Sequence, residues 1–88
     1  MLKSIRKQNL ELSKAAFEAI KDRLPEPSAK DIREYIYDCN EWGLGVEMIV
    51  DVLLEDDIAI TSSQKKAIVD AMDAMGLDRS QQEIRVLG

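Results

Sequence analysis

The chain has 88 residues, 45% of them apolar, with four glycines, two prolines and a formal net charge of −5. That is enough chain for one domain and too little for two. The apolar content with so little Gly and Pro excludes disordered, collagen-like and linker-rich classes. An anionic chain is also a poor match for phosphate backbones, which recruit basic patches, and points instead to a basic partner.

Apolar spacing and stop signals predict four helices in chain order. The first runs from about Leu2 to Arg23, with Leu2, Ile5, Leu12, Ala16, Ile20 and Leu24 on one broad face, and Pro25 and Pro27 end it. Ser28 is the expected cap of the second, which sets Ile32, Tyr35, Ile36 and Cys39 on one stripe and turns Tyr37 away from it. The third begins between Glu41 and Leu44 and runs to about Glu55. Val46, Ile49, Val50 and Leu53 form one apolar face and Leu44, Met48 and Val52 a second, which predicts the central, most buried helix.

Ile58 and Ile60 bracket a short connection, and Thr61 with Gln64 three residues on is a capping box for the fourth helix. Its expected buried face is Ala67, Ile68, Ala71, Met72 and Met75, closed by Gly76 as a left-handed cap with Leu77 behind it. In the tail, Ser80 and Glu83 have capping-box spacing, which favours a further helical turn, while Ile84 and Val86 alternate as in an edge strand. The expected fold class is all-α: a single-domain bundle of about four helices over residues 1–88 with a short C-terminal tail.

Chemistry is poorly provided for. There is no histidine, the commonest general base and metal ligand. Cys39 is the lone cysteine, which excludes an intrachain disulfide, suits a reducing compartment and reads as a small core side chain. No apolar h-region opens the chain and no segment is long enough to span a membrane, so a cytoplasmic protein is expected. None of the six serines follows an aspartate, as an acyl carrier's attachment serine does. Glu55, Asp56 and Asp57 are followed by Ile58, Ala59 and Ile60, which cannot complete a calcium loop. Gly43 and Gly45 lie among carboxylates that would repel phosphate. The expectation is a non-enzymatic protein without cofactor, metal or small-molecule substrate.

The charge is polarised along the chain. Residues 1–24 carry six basic and three acidic side chains, residues 25–60 two basic and ten acidic, and residues 61–88 four of each. Within the acidic third, Glu47, Asp51 and Glu55 recur at one-turn spacing, where like charges cost about 0.2–0.5 kcal/mol per pair. Asp56 and Asp57 add negative charge where the helix dipole prefers positive. A solvated face that keeps the domain soluble is one reading; a landing surface for a basic partner is the other. Tyr37, expected beside Glu34, Asp38 and Glu41 on a polar face, is a candidate contact, and Trp42 reads as a core plug or as an interface anchor. The candidate partner-binding residues are therefore Tyr37, Asp38, Glu41, Glu47, Asp51, Glu55, Asp56 and Asp57.

The segments NEWGLGVE (Asn40 to Glu47), LLEDDIAI (Leu53 to Ile60) and AMGL (Ala74 to Leu77) resemble the MafI-type family of small immunity proteins. The similarity spans about Ile32 to Leu77 and leaves out the first helix and the tail. Gly45 departs from it, standing where a slightly larger residue such as Ala is expected. The resemblance implies a protein that binds the toxin domain of a polymorphic or contact-dependent system and neutralises it in the producing cell. It implies structural roles for Trp42, Gly43 and Leu44, setting how the third helix enters the core, and a toxin-facing role for Glu41, Glu47, Glu55, Asp56 and Asp57. A nuclease-type toxin with a basic cleft would suit an acidic partner. The alternative is a helical interaction or regulatory module that self-associates. A nucleic-acid-binding bundle using Lys3, Arg6, Lys7, Lys14, Lys21 and Arg23 is disfavoured by the interleaved Glu11, Glu18 and Asp22.

Overall fold

Four α-helices build the chain in the computed structural model, which describes residues 2–77 and 83–87, with side chains from residue 7 onward. They are α1 (Leu2–Ile20), α2 (Glu26–Arg33), α3 (Trp42–Glu55) and α4 (Ser62–Ala74). A 3-10 turn, Lys21–Arg23, finishes α1, and a π-helical turn, Glu34–Asp38, extends α2. The fold is an all-α bundle. No described helix is long and apolar enough to cross a membrane. The side chains of Leu2, Lys3, Ile5 and Arg6, and Ser80 of the expected tail capping box, lie outside the described residues.

In α1 the buried stripe is Ser13, Ala16, Phe17 and Ile20, continued by Leu24, while Leu12 is only partly covered. Ser13 and Phe17 were not among the expected positions. Ser13 is tolerated in the core because its hydroxyl donates to the carbonyl of Asn9 at 2.7 Å, one turn back. α1 packs most extensively on α4, and α3 touches α1, α2 and α4. The expectation of a central third helix thus holds for Val46, Ile49, Val50 and Leu53, all at most 1% exposed. It fails for Leu44, which is 44% exposed; Met48 and Val52 are half-buried.

The start of α2 corrects the expected Ser28 cap. Pro25 is the N-cap and Pro27 sits in the first turn, where a missing N–H costs nothing because those donors have no intrahelical acceptor. The helix therefore begins two residues before Ser28. Its far end corrects the placement of Cys39. The Cys39 N–H donates to the Glu34 carbonyl, five residues back, and Glu41 N–H to the Tyr35 carbonyl. The extra residue in that π turn advances everything after it by roughly 100° relative to an α-helix. Ile32 and Ile36 stay fully buried, while Cys39 rotates out to solvent.

Gly45 is what lets α3 approach this segment. A Cβ built on Gly45 would meet Ile36 Cγ1 at 2.5 Å and Cδ1 at 3.1 Å. The Ala expected there by resemblance does not fit beside Ile36.

α3 and α4 end in the same way. The N–H of Ile58 reaches the carbonyl of Leu53 and that of Asp57 reaches Leu54; the N–H of Leu77 reaches Met72 and that of Gly76 reaches Asp73. These are Schellman caps, which place one residue in the left-handed region. In α4 that residue is Gly76 (φ +63), as expected, and in α3 it is Asp57 (φ +53). α4 opens on the expected capping box, with Gln64 N–H donating to Thr61 Oγ1 and Thr61 N–H to Gln64 Oε1. Gln64 Nε2 also donates to the Ala19 carbonyl at 2.9 Å, tying the start of α4 to the end of α1.

The expected further helical turn falls mostly outside the described residues, with Glu83 in a 3-10 turn, and beyond it the tail pairs as extended chain. Ile60 N–H donates to the Arg85 carbonyl and Leu87 N–H to the Ile60 carbonyl, an isolated parallel bridge of Ile60 with Val86. Burial selects this arrangement: Ile84 and Ile60 both enter the core, while Arg85 and Val86 are exposed, so the strand-like alternation expected for Ile84 and Val86 does not hold.

Candidate functional site

The outer side of α3 is built from Glu47, Asp51 and Glu55, one turn apart and all exposed, opposite the buried Val46, Ile49, Val50 and Leu53. Asp56 follows, also exposed. None of these four carboxylates forms an ion pair or a side-chain hydrogen bond with another described residue. α3 contains no basic residue. The result is an anionic ridge with no ion pair among the described residues.

Asp57 belongs to the same run but differs in circumstance. Its carboxylate pairs with Arg85 Nε at 2.9 Å, and Arg85 donates again to its backbone carbonyl. Arg23 donates to the carbonyl of Ala59. Two arginines from distant parts of the chain therefore hold the loop after α3, and the Asp57 carboxylate, though exposed, is paired within the chain.

Asp38 and Glu41 are exposed at the two sides of the junction between the π turn and α3. Asn40 between them adopts φ +55, a left-handed conformation suited to asparagine. Asp38 and Glu41 are likewise unpaired among the described residues.

Tyr37 corrects the expected grouping. It is only 36% exposed and faces α1, with its ring edge-on to Phe17 at 6.1 Å and 71°. Its hydroxyl donates to Glu18 Oε2 at 3.1 Å, and the Lys14 ammonium and Arg33 guanidinium lie 5.2 and 5.9 Å from its ring centroid. The tyrosine thus sits among cations in a groove between α1 and α2, not among Glu34, Asp38 and Glu41. Glu18 links it to Lys21 at 2.8 Å. The hydrogen bonds from Lys21 and Tyr37 hold the Glu18 carboxyl below its ordinary range, and the Lys21 ammonium is pushed up by Glu18. Partial burial, then the bond to Glu18, pushes the Tyr37 phenol up.

Trp42 is partly buried at the start of α3, in a depression shared with Lys7, Leu10 and Asn40. Its indole Nε1 is buried and meets no acceptor among the described residues. Of the eight expected residues, α3 and its end carry Glu47, Asp51, Glu55 and Asp56, with Asp38 and Glu41 exposed at the junction leading into α3, while Tyr37 and Asp57 also make contacts within the chain.

Fold and surface together define a small all-α protein with an anionic helix face that forms no ion pair among the described residues. In comparison with known proteins, no family model matches the chain, and no curated protein or solved structure matches it.

Proposed function

We propose that this protein is an immunity protein: a non-enzymatic binder that neutralises a cognate bacterial toxin domain, of nuclease type, by occluding a basic surface of the toxin inside the producing cell. The observation that carries the reading is the ridge of Glu47, Asp51 and Glu55, exposed and without an ion pair among the described residues, on a helix that has no basic residue of its own and supplies much of the core. Like charges at that spacing work against the helix they sit on. A partner that brings cations to them converts that cost into faster association and into selection of the right surface. The MafI-type resemblance of the segment from Ile32 to Leu77 supports the same reading.

Mixing the protein with the toxin domain encoded beside its gene should give a stable complex and abolish the toxin's activity. An interface of ordinary size would bury about 800 Å² on each side. Reversing Glu47, Asp51 and Glu55 to lysine should slow association and flatten its salt dependence. No binding at micromolar concentration sinks the proposal.

A self-associating helical module is the second reading, favoured by the exposure of Leu44, Val86 and Leu87. Light scattering separates the two: a monomer supports the immunity reading, and a stable homodimer that buries the ridge supports the module.

A further inference from the structure

Leu44 stands out on α3. It is the only large apolar side chain of that helix exposed beyond a third, at 44%, while the helix buries Val46, Ile49, Val50 and Leu53 on its other side. At roughly 100° per residue, Leu44, Glu47, Asp51 and Glu55 follow one line along the outer face, with Met48 half-buried beside them. Its sequence neighbours are Gly43 and Gly45, so no adjacent side chain shelters it. Gly45 is fixed as glycine by its contact with Ile36. The leucine therefore projects as a knob at the N-terminal end of an anionic ridge. Core packing does not require an apolar side chain there.

We infer that Leu44 is the apolar anchor of the docking surface, seated in an apolar pocket of a basic protein partner whose lysines and arginines meet Glu47, Asp51 and Glu55. The inference rests on the immunity reading above and adds to it the residue that sets the lifetime of the complex. Charge decides the occupant. A second copy of this chain packed ridge to ridge would set unpaired carboxylates against one another. A cationic protein surface both matches the carboxylates and desolvates the leucine. Interfaces divide labour in this way, with exposed charges governing encounter and a side chain desolvated in a pocket governing release.

The test measures association and dissociation of the full chain with the toxin domain encoded beside its gene, for wild type, Leu44→Ala and the Glu47→Lys/Asp51→Lys/Glu55→Lys triple variant. Leu44→Ala should speed dissociation roughly tenfold or more with association nearly unchanged, and the triple variant should chiefly slow association. Because Leu44 is half exposed, its variant should keep the wild-type helical circular dichroism and melting temperature. If wild type binds and Leu44→Ala dissociates at the wild-type rate, the anchor is overturned and the immunity reading stands. If wild type does not bind, both fall. A wild-type homodimer that Leu44→Asp converts to monomer also overturns the inference, assigning the leucine to self-association.

Discussion

Gly45 and Ile36 are a matched pair: the α3 backbone lies so close to the π turn that a methyl group on Gly45 would overlap Ile36 Cγ1 at 2.5 Å. Ile36 is fully buried, in a core where close packing leaves a side chain little room to shift. Alanine in place of glycine inside a helix ordinarily adds about 1 kcal/mol. Here overpacking, typically about 1–3 kcal/mol, opposes that gain, so Gly45→Ala should destabilise the protein. In an Ile36→Ala background the obstruction is gone, and the same Gly45→Ala change should become stabilising. Denaturant unfolding of the four proteins of this cycle checks the change of sign. A Gly45→Ala variant more stable than wild type would place α3 further from Ile36.

The two Schellman caps make a second prediction. Gly76 and Asp57 occupy the same left-handed position at the ends of α4 and α3. Nothing lies within 4 Å of a Cβ on Gly76, so Gly76→Ala should cost only the backbone strain, about 1 kcal/mol. Asp57→Gly relieves strain of the same kind and loses only an exposed pair with Arg85. It should therefore raise stability, or at the least leave it unchanged, while Gly76→Ala lowers it. Thermal melts of the two variants decide the matter.

Tyr37, Glu18 and Lys21 predict how stability follows pH. The Glu18 carboxyl is held below its ordinary value of 4.5, so its contribution is complete above that pH and is lost as the pH falls through the lower folded value. The Tyr37 phenol and the Lys21 ammonium are raised above 10.0 and 10.5, so their contributions are complete below those values and fade as the pH climbs past them. Tyr37→Phe removes one hydrogen bond to Glu18 and the titrating phenol. Its melting temperature should fall less steeply than wild type at both acid and alkaline extremes. Parallel curves for the two proteins would show that Tyr37 and Glu18 are not coupled in solution.

The helices were legible because their signals are local. Pro25 and Pro27, the Thr61–Gln64 box and Gly76 each act within one turn, and the spacing of Val46, Ile49, Val50 and Leu53 reports a face directly. Local signals do not reach the places where tertiary contacts or backbone register decide the outcome. Cys39 faces solvent and not the core because the π turn at Glu34–Asp38 shifts the phase after it, and no residue in EYIYD announces that turn; the neighbours of Tyr37 are Phe17 and Glu18 of α1, contacts between residues far apart in sequence. The tail bridge to Ile60 depends on burying Ile84, a contact between residues far apart in sequence. Of the candidate site, the Glu47, Asp51 and Glu55 line was readable from spacing alone. Leu44 was not, because its exposure follows from which side of α3 the other helices cover.

Asp51→Lys tests whether the ridge is maintained against the interest of the fold. The substitution sets a lysine one turn from both Glu47 and Glu55, replacing two repulsive pairs with two attractive ones, each worth about 0.2–0.5 kcal/mol. The summed gain of about 1 kcal/mol should raise the melting temperature by roughly 4–8 °C for a domain of this size, and added salt should shrink the difference. The same change removes a carboxylate from the centre of the proposed docking surface, so association with the toxin domain should slow. A more stable protein that binds more slowly is the signature of charge kept for a partner. If Asp51→Lys is no more stable than wild type at low salt, the carboxylates do not strain α3, and the ridge loses its claim to be more than a solvated surface.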